Sequence, residues 1–349
     1  MHRIQQINKP EKSFYLAAKN HWDNIAKPLG SFGELEEMIQ KIATIQETVD
    51  VDMTHRAVVV FCADHGIVEE GVTQCGSEVT VLCAKAIAEG TSNVNAIANA
   101  YHASVHVVDI GMKTNADTDK IILRKIAYGT RNFTKEAAMT ESEMISSITT
   151  GMDLVRDLKR SGTQIIVSGE MGIGNTTSAS ALASVLLGLP TKAVTGRGAG
   201  LSDEALRRKI VTIENGIKLH APSPDHPLHL LQTLGGLEIA AMTGLFLGGA
   251  VYHVPVIIDG VISAAAAAIS YQLNPFCAEY MLASHCSREP AASGLLKMMH
   301  LKPVIDAGLR LGEGTGGLLL LPLLDGALAL YRHAHTFDEE KMERYRKLS

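Results

Sequence analysis

AVVVFCADHG, residues 57–66, decides the fold: seven apolar residues run without a polar interruption and end in Asp64, His65 and Gly66. A strand with one wet face alternates polar and apolar, so an unbroken run marks a strand buried on both faces, as in a parallel sheet covered by helices. Three more runs have this character: SVHVVDIGM at 104–112, QIIVSGEMG at 164–172 and VPVIIDG at 254–260. Helix-length segments separate them, which gives a βαβα order and an α/β class with a parallel sheet flanked by helices. Ser202 ahead of Asp203 and Glu204 reads as a helix N-cap with acids favourably placed against the helix dipole. Segments 142–160, 176–188, 232–249 and 261–272 also read as helices.

The two ends of the chain differ from this centre. Residues 1–50 carry only helix-like and polar segments, notably SFGELEEMIQKIATIQETV, and the C-terminal part runs from a Gly-rich loop through LLLLPLLDGALALY to a charged tail. The expected organisation is a large α/β domain over 51–300 with a small helical subdomain built from 1–50 and 301–349.

Composition narrows the function. The 349 residues are 46% hydrophobic, enough for a sizeable core without disulfides or a structural metal. Lys and Arg total 32 against 37 Asp and Glu, a net charge of -5, and the basic residues are scattered, so no stripe tracks a phosphate backbone and nucleic acid is not an expected partner. Cys62, Cys75, Cys83, Cys277 and Cys286 are odd in number and lack C-x-x-C spacing, which fits reduced thiols in a cytoplasmic protein. The N-terminal residues lack the apolar run of a signal peptide, and no stretch reaches ~18 uninterrupted apolar residues. The expectation is neither secretion nor membrane insertion.

Three strand runs end in an acid at or near a glycine, Asp64, Asp109 and Asp259, and Glu170 directly follows Gly169 in a fourth. Ligands of open α/β sheets bind beyond the carboxyl ends of the strands, so these four acids are expected to face one cleft. For each, the competing reading is a cap on the next turn. GEMGIGNTTSAS, residues 169–180, follows a strand and opens a helix of small residues. Its glycines would let a phosphate approach the N–H groups of Asn175, Thr176 and Thr177. The alternative is a turn that serves only helix–strand packing. No Lys follows in the P-loop position, which disfavours a triphosphate with Mg2+.

In RLGEGTGG, Gly312, Gly314 and Gly317 satisfy G-x-G-x-x-G, yet no strand-like run leads into them and too little chain follows for a dinucleotide-binding unit. Glu313, held between two glycines, reads either as a general base raised by partial desolvation or as a solvated loop residue. GRGAG at 196–200 and Lys209 could bring positive charge to the cleft, although Lys209 also fits an ordinary helix surface. The histidines, His65 and His285 among them, have no metal-ligand spacing, and no G-x-S-x-G elbow occurs.

Together these motifs resemble one family, the nicotinate-nucleotide:dimethylbenzimidazole phosphoribosyltransferases of cobalamin lower-ligand assembly. The resemblance spans almost the whole chain and rests on KPLGSFGELE (27–36), CADHGIVEEGV (62–72), GEMGIGNTTSAS, GRGAGLSDEALRRK, LGGLEIAAMTG (234–244), VPVIIDG, SHCSRE (284–289) and RLGEGTGG. It implies a Rossmann-like sheet, a homodimer, no cofactor and no metal. The implied reaction moves 5-phosphoribose from nicotinate mononucleotide to an aromatic base. Glu313 matches the family's catalytic glutamate; Asp259 is assigned to supporting it and Glu170 to the ribose or the developing positive charge. Gly172, Gly174, Asn175 and Thr176 would hold the phosphate with Ser287, Lys209, Gly312 and Gly314 nearby, and Cys75, Cys83 and Met171 would line the base slot. The chain departs from the family in TQCGSEVT, where Gly76 replaces the usual proline. A slot rich in sulfur could take a substituted benzimidazole, a purine or a phenol. The competing functions are a silent nucleotide-binding sensor and another pentosyl-handling enzyme.

Overall fold

A computed structural model describes residues 2–346. The four apolar runs form β1 (Arg56–Ala63), β2 (Ala103–Gly111), β4 (Ile165–Met171) and β5 (Val256–Ile258), joined by β3 (Ile122–Leu123) and β6 (Met281–Ala283). Among the described residues these make one six-stranded sheet in the order β3-β2-β1-β4-β5-β6, parallel throughout. β1 is central: Arg56 lies opposite both Ala103 and Ile165. The order reverses between β1 and β4, the topological switch point of doubly wound sheets.

One face of the sheet is covered by the helices Glu141–Arg160, Asn175–Leu187, Leu237–Tyr252 and Val261–Leu273. Every residue of the third, from Leu237 to Ala250, is buried, so it has no polar side and lies inside the layer. It crosses Glu141–Arg160 with backbone nearly on backbone, because a Cβ on Gly151 would overlap the Ala241 carbonyl and one on Gly244 would overlap that of Ile148. The opposite face gathers helices from both terminal parts of the chain, while Ile4 and Ile7 pack with the first face. Trp22, Ile39 and Ile42 from N-terminal helices and Leu321, Leu324 and Leu328 from the C-terminal one form a single apolar cluster with Val58, Val60 and Val167 of the sheet. Lys27 braces it, 2.6 Å from Glu36 and 5.1 Å above the Trp22 ring.

The expected N-cap at Ser202 is present, with its Oγ accepting the Ala205 N–H at 3.2 Å. The segment 232–249 departs from expectation. It divides into helices Pro227–Leu234 and Leu237–Tyr252, broken at Gly235 and Gly236, where a Cβ on Gly236 would overlap the His65 ring.

Candidate active site

A cleft of about 190 Å³ opens beyond β4 and β5, and its lining includes Glu170, Met171, Thr176, Asp259, Ser287 and Glu313. Larger hollows occur, one of about 600 Å³ beside β6, but its lining mixes surface lysines and glutamates with the sheet edge and joins no strand-end acid to a glycine loop.

Asp259, only 3% exposed, organises the loop that carries Glu313. Its Oδ1 accepts the Gly317 N–H at 2.9 Å and its Oδ2 the Gly314 N–H at 3.2 Å, so both carboxylate oxygens are used on loop backbone. That loop lies directly on the end of β4. A Cβ on Gly169 would come within 2.7 Å of the Glu313 carbonyl oxygen, and one on Gly312 within 2.7 Å of Glu170 Oε1. Between Gly312 and Gly314, both at φ 89°, Glu313 itself holds φ 62°, a left-handed conformation that L side chains rarely adopt. Its Oε2 is buried without a hydrogen-bond partner. Burial lifts the Glu313 carboxyl above its ordinary range and the charge of Asp259 adds to this, while the Val94 N–H pulls the other way. A desolvated carboxyl with a bare oxygen can take up a proton.

Glu170 is the last acid of β4 and is 8% exposed. Burial pushes its carboxyl well above the usual range, against a hydrogen bond from Asn175 Nδ2. Asn175 is therefore spent on orienting Glu170. The N–H groups of Asn175 and Thr177 are also engaged, with the carbonyls of Gly172 and Gly174 at 3.1 and 2.9 Å, which corrects the expectation that they face an anion. The polar donors at this end of the cleft come from elsewhere. Lys209 is fully buried, not a surface residue, and its Nζ donates to Thr176 Oγ1 at 2.8 Å and to the Gly196 carbonyl at 3.3 Å. Burial brings its pKa down to about 8, opposed by the charge of Glu289.

The four strand-end acids do not share one cleft. Asp64 Oδ2 accepts the Lys113 N–H at 2.7 Å; Asp109 Oδ1 accepts the Met112 N–H at 2.9 Å while its Oδ2 pairs with Lys125 at 3.2 Å. Asp109 caps the turn that follows its own strand, as the capping reading has it, whereas Asp64 reaches across to the loop beyond β2. Gly172 and Gly174 form the turn that starts the Asn175–Leu187 helix, with Gly172 at the cleft wall. Met171 lines the cleft, whereas Cys75 and Cys83 stand outside its immediate lining. Burial raises the Cys83 thiol, and the charges of Glu313 and Cys75 raise it further, whereas the Cys75 thiol is raised by burial and by Glu78.

Sequence reasoning missed Ser263, His285, Glu289 and Arg310, which also line the cleft. His285 stands against Gly316, where a Cβ would overlap its ring, and burial lowers its pKa from the usual imidazole value. Beneath the glycine turn, His65 joins Glu238 at 2.7 Å and Ser178 at 3.2 Å. All three are sealed in the core, so this Ser-His-Glu arrangement is a bridge between elements and not a hydrolytic site.

A Rossmann-type strand order, a glycine turn with a buried lysine behind it and a desolvated glutamate held on a glycine loop at the strand ends are the features of an α/β enzyme. The chain belongs to a phosphoribosyltransferase family, whose model matches residues 7–342. It is 41% identical over 331 residues to the nicotinate-nucleotide–dimethylbenzimidazole phosphoribosyltransferase of Ruminiclostridium cellulolyticum, covering 95% of this chain and 94% of that one. The enzyme of the same name from Geotalea uraniireducens is 42% identical over 337 residues, 96% of either chain. Among solved structures, CobT from Thermus thermophilus superposes with a TM-score of 0.89 at 35% identity, covering 95% of this chain and 99% of that one.

Proposed function

We propose that this enzyme transfers the 5-phosphoribosyl group of nicotinate mononucleotide to a ring nitrogen of 5,6-dimethylbenzimidazole, or a closely related azole, and releases nicotinate. Nicotinate leaves as a neutral pyridine ring when the C1′–N bond breaks, because that bond's electron pair cancels the pyridinium charge; no acid is needed on the leaving nitrogen. The azole's lone pair forms the new C1′–N bond, and its second nitrogen then surrenders a proton. Glu313 is the group we assign to that proton. The observation that carries this reading is its desolvated carboxyl with a bare Oε2 at the cleft. Asp259 acts through Glu313 by fixing its loop, and Glu170 faces the ribose side, where its buried carboxyl, favoured in the protonated form, serves the sugar as a hydrogen-bonding group. Thr176, Lys209, Ser287 and the glycines 172, 174, 312 and 314 shape the phosphate and ribose end. Met171, with Cys75 and Cys83 behind it, serves the base. Aligning two bound reactants supplies up to ~7–11 kcal/mol of the barrier reduction.

The test is nicotinate release from nicotinate mononucleotide with and without added dimethylbenzimidazole. Release that requires the base and yields its riboside phosphate supports the transferase. Binding without turnover, or release driven by phosphate alone, would replace it with a sensor or a phosphorylase. The proposal includes a cytoplasmic homodimer as the working form.

A further inference from the structure

Glu289 stands at the phosphate end of the cleft, and the mechanism above gives it no task. Its Oε1 accepts the Gly198 N–H at 3.2 Å, and its carboxylate fills the place that a Cβ on Gly196 would occupy. A glycine at 196 is thus what admits the carboxylate to the GRGAG turn. The surroundings are those of an anion site. An ammonium carries three N–H donors, and Lys209 uses two of them on Thr176 Oγ1 and the Gly196 carbonyl. Thr176 Oγ1 accepts from Lys209 and keeps its own hydrogen to give. A Cβ on Gly198 would stand 3.0 Å from Thr176 Oγ1 and 3.7 Å from Lys209 Nζ, so the Gly198 backbone, the hydroxyl and the ammonium converge. A backbone N–H, a hydroxyl and a cation are the donors a phosphate monoester takes. A carboxylate takes the same ones.

We propose that Glu289 is a specificity-determining residue of the donor pocket, a built-in competitor whose carboxylate claims the Gly198 N–H that a phosphate would use. The inference rests on the reading that the donor's phosphate is held by Thr176, Lys209 and the Gly198 turn. A bare anion must displace a carboxylate from that N–H and then tolerate its charge, with only its own phosphate contacts in return. A nucleotide, anchored by its ribose and pyridinium contacts, can seat its phosphate partly off the turn and so avoids part of that penalty without leaving the cleft. Glu289 therefore weakens inorganic phosphate more than it weakens the nucleotide, and it disfavours donors that carry a second phosphate.

The experiment measures the Ki of inorganic phosphate and the KM of nicotinate mononucleotide for the wild type, Glu289→Gln, Glu289→Asp and Thr176→Val, with thermal unfolding as the folding check. The Gln side chain keeps an oxygen for the Gly198 N–H and loses the charge. Glu289→Gln is expected to lower the phosphate Ki by ~10-fold, to lower the donor KM by a smaller factor, and to leave the unfolding temperature unchanged. Glu289→Asp, with its charge drawn back from the turn, should shift the Ki in the same direction by less, and it keeps the question answerable if the Gln variant folds poorly. Thr176→Val should raise both constants. An unchanged or raised Ki in Glu289→Gln, with Thr176→Val behaving as expected, would reduce Glu289 to a loop staple and leave the pocket assignment intact. A Thr176→Val enzyme with wild-type constants would overturn the pocket assignment itself, and the role of Glu289 with it.

Discussion

Glu313 combines two costs at one residue, a left-handed backbone and a carboxyl removed from water, and both are sustained by the neighbours that seat its loop. Glu313→Gln should lower kcat by ~10²–10⁴ and leave the donor KM within a few-fold, as measured by steady-state nicotinate release. Because burial raises the Glu313 carboxyl, a base role places the acid limb of the kcat–pH profile above the ordinary glutamate value of 4.5, with activity rising as the proton leaves. Glu170 gives a stability prediction of definite sign. Its folded-state pKa is raised, so the folded chain keeps a proton that the unfolded chain has released, and the associated stability is present below pH 4.5 and lost as pH rises through the raised value. Glu170→Gln has no such loss, so its unfolding temperature relative to the wild type should climb with pH above about 5, even as activity falls; a pH-independent difference would contradict this. At this scale the sequence is partly legible. Glu313, Glu170 and Asp259 stand out because each lies beside a glycine at a strand end or in a glycine loop, although the structure spends Asp259 on loop backbone. Glu289 does not, since nothing local in SHCSRE records that Gly196, far earlier in the chain, makes room for it.

The elements divide along physical lines. β1, β2, β4 and β5 are readable because strands in the interior of a parallel sheet must be apolar on both faces. β3 is an edge strand of two residues set between Lys120 and Arg124, and β6, the other edge, follows a short helix and carries no acid–glycine signal at its end such as marks β5. The break at Gly235 and Gly236 is hidden because the apolar pattern runs on through it, and the His65 ring that leaves no room for a side chain at 236 comes from another part of the chain. The crossing of Glu141–Arg160 over Leu237–Tyr252 is similarly a matter of contact between distant glycine and carbonyl. Gly151→Ala would drive a methyl group into the Ala241 carbonyl, and chemical denaturation should register a loss of ~1–3 kcal/mol, with kcat nearly unchanged in the folded fraction. Gly316→Ala meets the His285 ring and stands 3.0 Å from Asp259 Oδ1, so it should reduce kcat through the Glu313 loop as well as lower stability.

For the whole molecule, the proposed homodimer predicts a mass in light scattering of two 37.4 kDa chains at assay concentration. A single chain mass would remove that part of the proposal. The order of the motifs along the chain matters as much as their position in space. The sheet, the buried lysine and Asp259 are all laid down before Glu313, which arrives late and is seated by backbone bonds to a side chain already in place. On the ribosome, a nascent chain emerged only as far as residue 300 would own most of its pocket and none of its proton acceptor. Such a chain would lack the group assigned to the proton, and competence would come only once the Glu313 loop is made and seated on Asp259.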